Sequence, residues 1–132
     1  MKKLLLLPMI LVLAACATGY TPEYRYTQVR VLNNSDAMIS NLVIQDQNSE
    51  RTLDCGDVKG FGFCQHPIPK LRYKSLPLDV SWVTADGQSR TQAVQPASKG
   101  PYTQGSPIQV ELNFAEDGSL SGVLKQEALS VR

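Results

Sequence analysis

The chain has 132 residues, 42% of them hydrophobic, with 13 basic and 12 acidic side chains and a formal charge of +1. Charges this evenly balanced give no electrostatic support for nucleic-acid binding, which depends on a concentrated positive field. One histidine, His66, and three cysteines leave little material for metal or acid–base chemistry.

Met1, Lys2 and Lys3 form a short basic start, followed by an apolar run from Leu4 to Leu13 interrupted only by Pro8. A run of about ten residues is half of what a helix needs to cross a hydrocarbon core of ~30 Å. It has the length of the apolar region of a secretory signal. The run ends in Leu13-Ala14-Ala15-Cys16, which resembles the lipobox of bacterial lipoproteins at all four positions. The resemblance implies a lipid on the Cys16 thiol, cleavage just before it, and acylation of the new amino terminus. Each buried methylene contributes about 0.8 kcal/mol, and a single chain binds only marginally. Two or three acyl chains on one residue therefore make a permanent anchor. Ala17 stands where aspartate would favour retention in the inner membrane, by similarity to enterobacterial sorting rules. The expected address is the outer membrane, with the domain facing the periplasm.

Removal of residues 1–15 leaves 117, enough for one domain with a modest core. Lys2 and Lys3 leave with the signal, so 11 basic residues face 12 acidic ones and the formal charge becomes −1. Residues 16–23 read as a lipidated cysteine and short tether. At ~3.5 Å per residue it reaches roughly 25 Å, which keeps the domain near its membrane. Residues 24–132 read as the domain.

Within that domain the pattern is strand and turn. Val29 and Val31 alternate with Gln28 and Arg30 over Arg25 to Leu32, before the turn cluster Asn33-Asn34-Ser35-Asp36. Met38 to Ile44 is a second run, with Leu42 and Ile44 on one face. Arg51 to Cys55 is a short third strand, and Lys70 to Lys74 a fourth. Leu78, Val80 and Trp82 alternate with Asp79 and Ser81 in the clearest strand. Asp86-Gly87 predicts a hairpin into Ser89 to Val94. Ile108, Val110, Leu112 and Phe114 alternate strictly with Gln109, Glu111 and Asn113, and Asp117-Gly118 predicts a hairpin into Leu120 to Lys125. The tail QEALSVR reads as one turn or a frayed end. About seven short strands with turn signals between them predict an all-β fold, a small antiparallel β-sandwich that is immunoglobulin-like in a loose sense. Trp82 reads as a core anchor in preference to a ligand platform.

Cys55 and Cys64 remain after lipidation, with eight residues between them. An even pair in an exported chain reads as a structural disulfide. The rival is a metal site made of Cys55, Cys64 and His66, which lacks a fourth obvious ligand and a C-x-x-C pair. The short spacing argues against a bridge between the two sheets.

Three further features are candidates for contact. Phe61 and Phe63 lie inside the disulfide loop and on an extended segment would share a face, as a core cap or as an exposed apolar patch. Lys70, Arg72 and Lys74 fall at i, i+2 and i+4, so one strand would present all three to an anionic glycan or lipopolysaccharide, or simply blunt a sheet edge. The irregular stretch 95–107 carries Tyr102, either a contact residue or folded back onto the sandwich. A Ser–His–Asp arrangement would have to use His66, and no G-x-S-x-G accompanies it. Asp54 and Asp57 lack the oxygen spacing of a calcium loop. The expectation is therefore a non-enzymatic envelope lipoprotein without a cofactor. It is held to the membrane by its anchor and binds or stabilises another envelope component, an envelope protein first, in an assembly-accessory or pilotin-like role. The alternative is a glycan- or lipopolysaccharide-binding sandwich; a small hydrolase comes third.

Overall fold

The computed structural model describes residues 24–98 and 106–126. Nine strands occur among the described residues: β1 (Arg25–Asn33), β2 (Ile39–Asp46), β3 (Arg51–Val58), β4 (Phe63–Arg72), β5 (Leu78–Val83), β6 (Ser89–Val94), β7 (Ala97–Ser98), β8 (Pro107–Phe114) and β9 (Leu120–Gln126). They form two sheets, β4-β1-β8-β9-β7 and β3-β2-β5-β6. The all-β sandwich expected from the alternation is the fold observed.

The inward phase of each strand is apolar. Val29, Val31, Leu42, Ile44, Leu78, Val80, Ile108, Val110, Leu112 and Phe114 are all buried. Trp82 meets Phe114 edge-to-face across the core, ring centroids 5.0 Å apart. Trp82 is thus a core anchor, as its alternation predicts. Both Asp-Gly hairpins form, each with glycine in the left-handed region, Gly87 at φ 88° and Gly118 at φ 87°. This backbone costs glycine nothing and any other residue a Cβ clash.

Three features depart from the sequence reading. The five-stranded sheet is mixed, because β1 runs parallel to β8 and β7 parallel to β9. No crossover helix is needed, since the chain between β1 and β8 passes through the opposite sheet. The fourth strand starts at Phe63, well before Lys70, and carries Pro67 and Pro69. Proline lacks a ladder donor and is tolerated only at an edge or bulge; β4 is an edge strand with a register shift against β1 at that point. Finally, the 95–107 stretch is not wholly irregular: Ala97–Ser98 pairs with Val123 and Leu124.

Strand directions sort the connections into two ends. The connections at 34–38, 59–62, 84–88 and 115–119 gather at the end where β1 finishes, here called distal. The start of β1, the β2–β3 turn and the β4–β5 connection lie at the proximal end. Nine residues of β1 at about 3.3 Å each separate the two ends by roughly 25–30 Å.

Candidate functional site

The distal end is organised by one buried side chain. Asn33, 1% exposed, continues the inward phase of Val29 and Val31. Its amide donates to the carbonyls of Ala37 (2.8 Å), Lys59 (3.0 Å) and Val58 (3.3 Å). Its oxygen accepts from the Ser35 backbone N–H (3.0 Å) and hydroxyl (2.7 Å). The β1–β2 loop and the β3–β4 turn are thereby tied into one unit, and the Phe61 N–H donates to the Ser35 carbonyl at 3.0 Å.

On this unit Phe61 is 74% exposed and Phe63 61%, and Met38, at the end of the β1–β2 loop, is 43% exposed. Neither phenylalanine caps the core. They do not form one aligned pair either, because Phe61 has φ 61° and sits in a turn. Phe63 pairs with Leu32 on the outer face of the five-stranded sheet, and the Arg30 guanidinium lies 5.3 Å from its ring centroid. An exposed cation–π contact of this kind contributes about 0.5–1 kcal/mol. Phe61 is left as the apolar tip of the distal end.

Cys55 and Cys64 form the expected disulfide, with Cα atoms 5.8 Å apart. The bridge is inter-sheet, contrary to the expectation from spacing. β3 is the edge of one sheet and β4 the facing edge of the other, so a tight turn brings the two cysteines across the seam. The ligand atoms of Cys55, Cys64 and His66 lie within 4.8 Å of one another, the one such group among the described residues. Both thiols are consumed in the disulfide, which removes two of the three donors of the rival metal site. The His66 ring donates through Nε2 to the Asp54 carbonyl at 3.0 Å. A general base is oriented by a carboxylate; this partner is main chain. Asp54 accepts from the Gly56 N–H and Asp57 from the Asn41 N–H, so each carboxylate closes its own local turn or bulge.

The proposed basic stripe is shorter than expected. Lys70 and Arg72 belong to β4, but the strand ends at Arg72. Lys74 lies in the following connection, where its N–H donates to Asn48 Oδ1 at 3.0 Å. Arg72 stands opposite Arg25 at the proximal end. Tyr73, the residue after Arg72, is 3% exposed and packs edge-to-face on Tyr26 at 5.3 Å. Tyr102 lies outside the described residues.

A second buried polar unit, not foreseen from sequence, closes the proximal end. Asp46, 1% exposed, accepts from the Tyr26 hydroxyl (2.5 Å), the Asn48 N–H (2.9 Å) and the Ser49 hydroxyl (3.0 Å). Asn48 in turn donates to the Leu76 carbonyl and accepts from the Lys74 and Leu76 N–H groups. Burial and the neighbouring carboxylate push the Tyr26 hydroxyl far above its ordinary range, and burial first, then Asp46, pushes Tyr73 up to about 12. Both Asp46 and Asn33 continue an apolar inward phase, and that is the signal that could have found them.

No family model matches the chain, and no curated protein matches it. Among solved structures it is similar to a protein from Eubacterium rectale known from an NMR structure. The identity is 13%, with 86% of this chain and 99% of the other covered, and the TM-score is 0.45.

Proposed function

We propose that the chain is a non-enzymatic lipoprotein of the bacterial outer membrane. It is anchored through lipid on Cys16 and faces the periplasm, where it binds or stabilises another envelope protein. An assembly-accessory, pilotin-like role is the concrete version. One observation carries the reading. The Leu13-Ala14-Ala15-Cys16 motif precedes a tether of few residues, and the domain begins at the end opposite the exposed Phe61. Lipid at one end confines the domain to a shell near the membrane, which raises its effective concentration for membrane-proximal partners. A rigid aromatic at the other end loses little entropy on binding.

A second reading draws on Arg25 and Arg72, cross-strand neighbours at the proximal end. Two guanidinium side chains on neighbouring strands would attract an anionic glycan or lipopolysaccharide headgroup. A photoreactive residue in place of Phe61 in one strain and of Arg72 in another separates the two. A single dominant protein adduct from position 61 supports the protein-partner reading. Lipopolysaccharide adducts from position 72, with none from 61, would replace it by the second.

A further inference from the structure

The two long seams of the sandwich differ. On one, β3 and β4 face each other and the Cys55–Cys64 bridge staples them. On the other, β6 ends its sheet, and among the described residues β9 is paired on that side at Val123 and Leu124 alone, by Ala97 and Ser98 of β7. Among the described residues, no strand pairs with the outer side of β6 or with β9 at Leu120–Gly122. A groove of about 470 Å³ opens there, lined by Trp82, Arg90, Gln92, Asp117 and Leu120 among others.

Edge strands normally carry devices that prevent another strand from adding. β4 has Pro67, Pro69 and a bulge; β3 is opposed by the irregular register of β2 and bridged at Cys55; β7 is two residues long. β6 has no proline, bulge or bridge, and its one charge is Arg90, on the side of Trp82. Its register with β5 is regular from Leu78↔Val94 to Val83↔Ser89, and Ser89 to Ala93 are exposed. The Thr84 N–H bonds the Gln88 carbonyl. Hydrogen bonding alternates from that pair, so Arg90 and Gln92 bond β5. The N–H and C=O groups of Ser89, Thr91 and Ala93 point outward.

We infer that this edge receives an extended segment of a partner protein as an added strand, whose inward side chains fill the groove over Trp82 and Leu120. Main-chain bonds to Ser89, Thr91 and Ala93 hold the segment, and the groove selects its alternate side chains. A second copy of this chain is the competing occupant. Two-fold pairing of β6 with itself is antiparallel and would turn one copy's proximal end away from the membrane. Choosing a partner over a copy therefore rests on the anchored reading above.

The test is residue-level amide exchange on the lipidated chain, in membranes from the producing cells and after purification in detergent. Strand addition predicts exchange at least tenfold slower in the membranes at Ser89, Thr91 and Ala93, with Arg90 and Gln92 unchanged. Thr91→Pro should abolish the protection at Ser89 and Ala93 and leave Arg90 and Gln92 protected; Thr91→Ala should keep it. If Thr91→Pro fails to fold, Ala93→Pro asks the same question from the neighbouring outward position. Equal exchange in both preparations overturns the inference. So does protection that survives purification and rises with protein concentration, which is self-pairing. Protection without lipid on Cys16 would instead overturn the anchored reading and leave strand addition standing.

Discussion

Asp46→Ala deletes the acceptor shared by Tyr26, Asn48 and Ser49 while leaving the donors where they are. Tyr26 and Asn48 are 0% and 4% exposed, so water cannot readily replace the carboxylate. Each buried group left unpaired costs about 1–3 kcal/mol. Two such groups, with the half-buried Ser49 adding little, predict a loss of about 3–5 kcal/mol. That is a large part of the 5–15 kcal/mol typical of a domain this size. Tyr26→Phe removes only one donor, and Asp46 keeps the others, so about 1–2 kcal/mol is expected. In the double variant the hydroxyl has no partner to lose, and the two effects should fall short of additivity by about 1–2 kcal/mol. Urea denaturation of the domain lacking residues 1–16 measures all four corners of the cycle. Strict additivity, or an Asp46→Ala loss below about 1 kcal/mol, would refute the view that this carboxylate organises the proximal end.

Replacing Cys55 and Cys64 together by serine frees a loop of sequence separation 9, for which chain entropy predicts a loss of about 2.5 kcal/mol; an unchanged urea midpoint would contradict it. Alkaline pH should destabilise the domain. The folded state holds the Tyr26 and Tyr73 protons above the ordinary value of 10, so stability is full below pH 10. It falls as pH rises toward about 12, by about 1.4 kcal/mol per unit for each tyrosine. Tyr26→Phe should roughly halve that slope, and a flat profile from pH 9 to 12 would count against the burial argument. A Cβ on Gly60 would lie 2.5 Å from the Asp36 carbonyl oxygen, so Gly60→Ala should cost about 1–3 kcal/mol in a thermal or urea melt.

Much of the fold was legible because inward residues of a two-sheet sandwich must be apolar at every second position. Leu78, Val80 and Trp82, and Ile108 to Phe114, declare their faces without ambiguity. The two Asp-Gly pairs mark hairpins for an equally local reason. What could not be read is non-local. The parallel pairing of β1 with β8 joins segments some eighty residues apart, and no spacing rule encodes it. The inter-sheet disulfide depends on β3 and β4 both being edges, a property of topology. The alternation at Lys70 to Lys74 marks only the end of β4, whose earlier part carries Pro67 and Pro69, residues that an edge strand accommodates. Phe61 and Phe63 are both exposed, but the common face expected of them needs an extended backbone that Phe61 does not adopt. Asn33 and Asp46 are hidden in the sequence because a polar residue at the end of an alternating run looks like the start of a turn. Each is instead the last inward position of its strand.

Cys16 decides whether the chain is anchored by lipid. Mass spectrometry of the chain extracted from producing cells reads it directly, through the amino-terminal tryptic peptide from Cys16 to Arg25. The account predicts that this peptide begins at Cys16 and carries a diacylglycerol on the thiol. It also predicts that Cys16→Ala releases the protein from the membrane fraction. An amino terminus elsewhere, or an unmodified Cys16 in a chain that still fractionates with the membrane, would contradict it.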